Sequence, residues 1–289
     1  MSDHSISTTP FGKYQLSWWS RLLVNACQKL PANRIGKKIA FLLRKPVLLL
    51  NADPVDVTVD GLKLRLFPGA NLSDKRLLST PFLLDGVERR VLVELLPQKA
   101  CVVDVGANIG GYSVLLMKDR PDLNIVAVEA DPEIAVRLKN NIQLNKYDDR
   151  CQIVTEAVSD CESEVRLFRD HQNQGMNTLE AQPAAGADAD YVTVPCRPLL
   201  SILNDANIDR PDHLKLDIEG HEHTVLSAFF KQADRKRWPT LIQIEQYSDE
   251  DLNTAVQLCL NRGYQIRLRA RMNVLLEQIG TQAPESLAS

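Results

Sequence analysis

The sequence has no hydrophobic run long enough for a bilayer. Its longest stretch free of Asp, Glu, Lys and Arg is residues 105–117, 13 residues that include glycines and Asn108, whereas a span needs roughly 20 apolar residues. The polar first dozen residues contain no apolar leader ending in a small-residue cleavage site, so no export signal is read. The six cysteines (Cys27, Cys101, Cys151, Cys161, Cys196 and Cys259) form no Cys-x-x-Cys or Cys/His cluster. Their scatter argues against structural zinc, and reduced thiols in a cytoplasmic setting are the expectation. Internal repeats are absent too, which removes solenoids and propellers from consideration.

What remains is ordinary globular composition, 289 residues with 44% hydrophobic and 25% charged, enough for one large α/β domain with an addition. The net charge of −3 conceals a split. Residues 1–50 carry eight Lys/Arg against one acid, a balance of +7, and the other 239 residues carry 26 bases against 36 acids, a balance of −10. Such asymmetry points to a basic arm with its own partner.

Residues 15–30 show helical spacing of apolar side chains, and residues 37–45 show a second, shorter pattern that Pro46 is expected to end. Three readings of this arm stay open: a cap on the core with Trp18 and Trp19 buried, a dimer contact, or a peripheral contact with an anionic membrane surface, the first two being preferred because a single amphipathic helix speaks weakly for a membrane. Residues 55–59 and 62–66 alternate around Asp60-Gly61, which predicts a β-hairpin. Residues 85–96 predict a helix with Val87, Val91, Leu92, Leu95 and Leu96 inward and Glu88, Arg89, Arg90 and Glu94 outward.

Beyond Pro97 the pattern becomes strand–helix alternation. Dense apolar runs at 101–105, 124–129, 151–155, 213–218 and 240–245 predict buried parallel strands, with helices at 111–118, 132–145, 198–206, 222–232 and 250–262. Runs at 264–269 and 272–277 predict an antiparallel pair at the sheet edge, and residues 171–190 a long loop. The expected organisation is a basic arm (1–50), a hairpin-and-helix segment (51–98) and a ligand-binding domain (99–289).

The sharpest motif is Asp104-Val105-Gly106-Ala107-Asn108-Ile109-Gly110, where a strand ends in a glycine turn that opens a helix. Glycines allow close backbone approach, and the helix start offers free N–H groups. Glu129 closes the next strand and is placed to take both hydroxyls of an adenosine ribose; Ala130 and Asp131 follow it. A nicotinamide dinucleotide site is the main rival, but Asn108 stands where its fingerprint wants glycine, and Asp104 would repel a pyrophosphate. S-adenosylmethionine carries an ammonium, a sulfonium and no phosphate, and these acids favour it. Asp104, Gly106, Ala107, Asn108, Gly110, Glu129, Ala130 and Asp131 are therefore cofactor candidates. Glu156 and Ala157, after the third strand, are candidates for adenine contact.

A second constellation, Lys215-Leu216-Asp217-Ile218-Glu219-Gly220-His221-Glu222, follows the fourth strand of this series. Ligands in such sheets sit beyond the carboxyl ends of the strands. Asp217, Glu219 and His221 are thus catalytic candidates, with Asp217 also a cofactor candidate. One reading makes one of them a general base for a hydroxyl, a second makes them divalent-metal ligands, and a third leaves them as acids favouring a helix N-terminus. The first is preferred and no metal is expected. Glu245, ending the fifth strand, is expected to face the same cleft.

These two motifs resemble the FkbM-type methyltransferase family, whose Lys-x-Asp-x-Glu-Gly-x-Glu stretch is matched at 215–222. Gly175 to Leu179 in the long loop also fits. One departure is Pro198-Leu199-Leu200 where the family often shows Thr-Leu-Asp. The resemblance implies a Rossmann-like class I methyltransferase fold, a mostly parallel seven-stranded sheet with an antiparallel C-terminal edge. It also implies S-adenosylmethionine as donor and methylation of an oxygen on a sugar, glycolipid or secondary metabolite. The acidic domain lacks a basic stripe, so nucleic acid is not the expected acceptor. The alternatives are an inactive binding module on the same fold and, less favoured, a nicotinamide oxidoreductase.

Overall fold

The computed structural model describes residues 9–170, 177–179, 190–246, 254–270 and 272–280. Two helices lead, α1 (Trp18–Gln28) and α2 (Arg34–Leu50), capped by the side chains of Ser17 and Asn33. The hairpin follows as β1 (Val55–Val59) and β2 (Leu62–Leu66), paired Val55 to Leu66. Asp60 and Gly61 both take positive φ, the conformation a tight two-residue hairpin turn requires. Helices α3 (Leu72–Ser79) and α4 (Gly86–Leu95) complete the N-terminal part.

The body alternates β3 (Cys101–Val105), α5 (Gly111–Asp119), β4 (Asn124–Val128), α6 (Pro132–Leu144) and β5 (Cys151–Val154). A small sheet of β6 (Ala157–Ser159), β7 (Ser163–Phe168) and β8 (Tyr191–Pro198) comes next. The main sheet then resumes with α7 (Leu199–Asp205), β9 (His213–Leu216), α8 (Glu222–Gln232), β10 (Leu241–Glu245), α9 (Thr254–Asn261), β11 (Tyr264–Arg269) and β12 (Asn273–Gln278).

Seven strands form the main sheet in the order β11-β12-β10-β9-β3-β4-β5. Only β12 runs against its neighbours β10 and β11; the other pairings are parallel. This is the order of the class I methyltransferase fold that the family resemblance implies. Successive strand residues feed opposite cores. Val102, Ile125 and Ala127 pack with Leu116 of α5 and Leu138 of α6, while Val103, Val105 and Val126 pack with Leu226 and Phe229 of α8. Burial on both faces is why these strands read as unbroken apolar runs. The chain winds one way from β3 to β4 and the other way through β9, so the switch point lies between β3 and β9, where such sheets bind ligands.

Several expectations are corrected. Pro46 does not end the second helix but lies inside α2. Its ring removes one N–H, and the carbonyl deprived of it belongs to exposed Leu42, while Val47 just beyond is buried. Trp18 and Trp19 are not buried but 56% and 60% exposed. The inward face of α4 is rotated: Glu88 is buried and Val87 exposed. Asn273 Nδ2 on β12 donates to Glu88 Oε1 and Asp85 Oδ1, both at 2.9 Å, which supplies the partner a buried carboxylate needs. Helix α3 and the three strands β6–β8 were not anticipated. Of the long loop, residues 171–176 and 180–189 lie outside the described residues, and so do 250–253 of the last helix.

Candidate active site

The glycine turn is shaped by what surrounds it. Gly106 has φ +79°, and a Cβ there would lie 1.9 Å from the Asp217 carbonyl oxygen. The turn after β3 and the turn after β9 are thus in backbone contact, which only glycine permits. Asn108 and Gly110 also adopt positive φ, and α5 starts at Gly111 without a side-chain cap.

Glu129 sits at the end of β4 with each carboxylate oxygen fixed by the backbone. Oε2 accepts from Asn108 N and Oε1 from Asp131 N, both at 2.8 Å. Burial outweighs those two bonds and pushes its pKa up to about 7. Asp104 is fully buried on β3 and accepts from Ser113 Oγ at 2.7 Å through Oδ2. Its other oxygen, Oδ1, has no hydrogen-bond donor among the described residues; Lys215 Nζ lies 3.9 Å away. Burial raises the Asp104 pKa, and Lys215 and Ser113 oppose that.

Lys215 is the centre of charge. It is buried in mid-strand and donates to Asp217 Oδ2 at 2.7 Å. Burial opposes its charge, but Asp217, Asp104 and Asp85 prevail and hold its pKa above the ordinary lysine value. Burial acts to raise the Asp217 pKa, yet Lys215 and a hydrogen bond with Glu245 bring it below the usual range. Asp217, Glu219 and Glu245 present donor oxygens within 4.8 Å of one another, the one grouping of this kind among the described residues.

The turn after β9 carries Glu219 at φ +53° and Gly220 at φ +98°. Glu222 Oε1 holds it by accepting from Ile218 N at 3.0 Å and Gly220 N at 3.4 Å. His221 Nε2 lies 2.8 Å from Ser159 Oγ. The same hydroxyl lies 3.2 Å from Asp160 Oδ1.

Both motifs open onto one cavity of about 630 Å³, within the range for small-molecule sites. Asp104, Gly106, Ala107, Asn108, Glu129, Ala130, Glu156, Ala157, Asp217, Glu219 and His221 all line it. Two candidates do not. Gly110 packs on Leu138 of α6. Asp131 caps α6 and pairs with Arg169 at 2.9 Å. Glu156 faces the cavity with Arg197 3.5 Å away. Glu245 is on the wall, as expected for the end of β10, and Lys215, Tyr112, Asp85 and Asn273 join it unanticipated. Helix α2 adds Lys37, Phe41 and Arg44, and α3 adds Arg76.

The sequence profile of the methyltransferase FkbM domain matches residues 104–266. The chain belongs to the FkbM methyltransferase family. That stretch runs from Asp104 to β11 and holds both motifs of the FkbM resemblance. The family's methyl donor is S-adenosylmethionine. Among curated relatives, an O-methyltransferase, imqG, of Aspergillus flavus is 30% identical over 135 residues, 43% of this chain and 54% of that protein. Ribosomal RNA small subunit methyltransferase H of a Nitratiruptor species is 31% identical over 86 residues, 30% of this chain and 27% of its own length. The FkbM chain therefore spans about half of the first and a quarter of the second. Among solved structures, the METTL16 methyltransferase domain aligns at TM-score 0.46 and 14% identity, over 75% of this chain and 72% of that one. M. jannaschii TYW2 in complex with AdoMet aligns at TM-score 0.42 and 12% identity, over 79% and 88%. Among the described residues, no helix is long and apolar enough to cross a membrane.

The residues fit the family's donor. An unshared acceptor oxygen on buried Asp104 suits an ammonium, and a backbone-fixed Glu129 suits vicinal hydroxyls. Around one lysine stand Asp104, Asp217 and Asp85, an acidic surplus that favours a cationic ligand.

Proposed function

We propose that the protein transfers a methyl group from S-adenosylmethionine to a hydroxyl oxygen of a small-molecule, glycan or lipid-linked acceptor. The observation that carries this reading is the meeting of two turns on one cavity wall. The Gly106 turn with Glu129 forms the donor end, and the Asp217–His221 turn sits beside it in backbone contact.

When bound, the donor supplies an electrophilic methyl on a sulfonium. Glu129 accepts from the ribose hydroxyls, and its pinned carboxylate pays little entropy to do so. Asp104 Oδ1 takes the ammonium, and Glu156 the adenine amine. Asp217 stays ionised against Lys215, which makes it a weak base and a fixed charge. His221 is then the group that removes the hydroxyl proton, with Ser159 Oγ beside its Nε2 orienting the ring. Holding acceptor and methyl in line at contact distance contributes up to about 7–11 kcal/mol, and proton removal typically ~10²–10⁴-fold.

Calorimetric titration with S-adenosylhomocysteine tests the donor end. Wild type should bind, and Glu129→Ala should lose at least about tenfold in affinity, the worth of one charge-assisted hydrogen bond. Equal affinity in the variant removes Glu129 from the ribose. Binding without methyl incorporation into any hydroxyl acceptor favours the inactive module.

A further inference from the structure

Nine of the thirteen large apolar side chains exposed among the described residues lie on α1 and α2. On α2 they follow one stripe, apart from Phe41, which lies on the cavity wall. Ile35, Ile39, Leu42 and Leu49 recur at i, i+4, i+7 and i+14, the spacing of a single helix face. This is not the face that holds the helix to the body, which is Gly36, Ala40 and Val47. Helix α2 therefore has two apolar faces, and the second is open. Leu42 is 66% and Leu49 86% exposed. On α1, Trp18 and Trp19 stack at 3.6 Å with both rings exposed, and Leu22 follows one turn later.

The charge beside this surface has one sign. Between Asp3 and Asp53 there is no acid, and eight Lys/Arg fall in that interval. At 100° per residue, Arg34, Lys38 and Lys45 form the row next to the apolar stripe, and all three are exposed. An apolar stripe flanked by long cationic side chains fits a headgroup layer, with the stripe at the acyl boundary and the cations reaching phosphates. Trp prefers the same depth. A second copy of this chain would set like charges against each other across a two-fold axis. A nucleic acid would meet the cations but leave the Ile and Leu stripe uncovered.

We propose that α1 and α2 form a docking face for an anionic lipid bilayer. The far side of the same helix carries Lys37, Phe41 and Arg44 on the cavity wall, so docking places the cavity one helix away from the membrane surface. The proposal rests on the surface alone and stands or falls apart from the methyl-transfer reading.

The test uses the full chain with vesicles of phosphatidylcholine, with or without phosphatidylglycerol as anionic lipid. Of the three tryptophans, Trp238 is buried in the body, so an emission blue shift reports on Trp18 and Trp19. The expected result is co-sedimentation and a blue shift with anionic vesicles, at least tenfold weaker with neutral ones and weakened by salt. Lys38→Glu with Lys45→Glu should cost at least about 25-fold, some fivefold for each cation removed. Leu42→Glu with Leu49→Glu should abolish binding at unchanged melting temperature, while Lys38→Arg with Lys45→Arg retains it. Failure to bind anionic vesicles at low salt overturns the proposal, as does binding that both Glu pairs leave intact. A wild-type dimer that Leu42→Glu with Leu49→Glu dissociates, without vesicle binding, assigns the face to a second copy instead.

Discussion

The two ends of this chain spend their apolar residues differently. In the body, Val102 and Val103 are adjacent, point to opposite faces of the sheet and are both buried. In the arm, Ile39 and Ala40 are adjacent on α2, and only Ala40 is covered. A dense strand run requires cover on both sides, because a single uncovered face would show as alternation. A helical run requires only one covered face and leaves the rest of the circumference free for another environment. Apolar spacing thus identifies a strand's surroundings more completely than a helix's.

Four measurements test this contrast. The largest effect belongs to the body: His221→Ala should lower turnover at saturating donor by ~10²–10⁴-fold, with S-adenosylhomocysteine affinity nearly unchanged. An unaltered rate would remove His221 as the base. Next, Leu116→Ala, at a fully buried leucine of α5, should cost about 2–5 kcal/mol in denaturant unfolding. A smaller, pH-dependent effect follows from Glu129. Its folded pKa of about 7 lies above the ordinary glutamate value of 4.5, so folding favours its protonated form. The stability it contributes without ligand is full below about pH 4.5 and is lost as pH rises through about 7. Melting curves across that window should fall less steeply for Glu129→Gln; parallel curves would refute the assignment. The arm, with no acid between Asp3 and Asp53, has no counterpart. Smallest of all, Leu49→Ala in the arm should change stability by under about 0.5 kcal/mol. A cost matching Leu116→Ala would erase the distinction between the two regions.

Much of the body was legible because local and tertiary demands agree there. Asp60-Gly61 wants positive φ and marks a turn; Gly106 lies where a strand run ends and a helix pattern starts. The small sheet was hidden for a physical reason. Strand β8 contains Pro195 and Pro198, which argue against a central strand, and β7 offers only Val165 and Leu167 as alternating apolar residues. Helix α3 is eight residues long, too short to show a period. Lys215 did leave a signal. A lysine within the apolar run of a central strand has to be paired, and the acids that pair it, Asp104 and Asp217, were already candidates. The rotated face of α4 left none, because the partner of Glu88 is Asn273, 185 residues away.

That last contact bears on how the protein is made. Strand β12 sits inside the sheet, between β10 and β11, yet is the last of the seven to leave the ribosome. Until Asn273 emerges, β10 has no neighbour on that side, and Asp85 and Glu88 lack their shared amide donor. Until then the cavity also lacks the part of its wall that Asn273 supplies. A ribosome-stalled chain ending before residue 273 is an edge awaiting its strand, and completion of the pocket coincides with completion of the sheet.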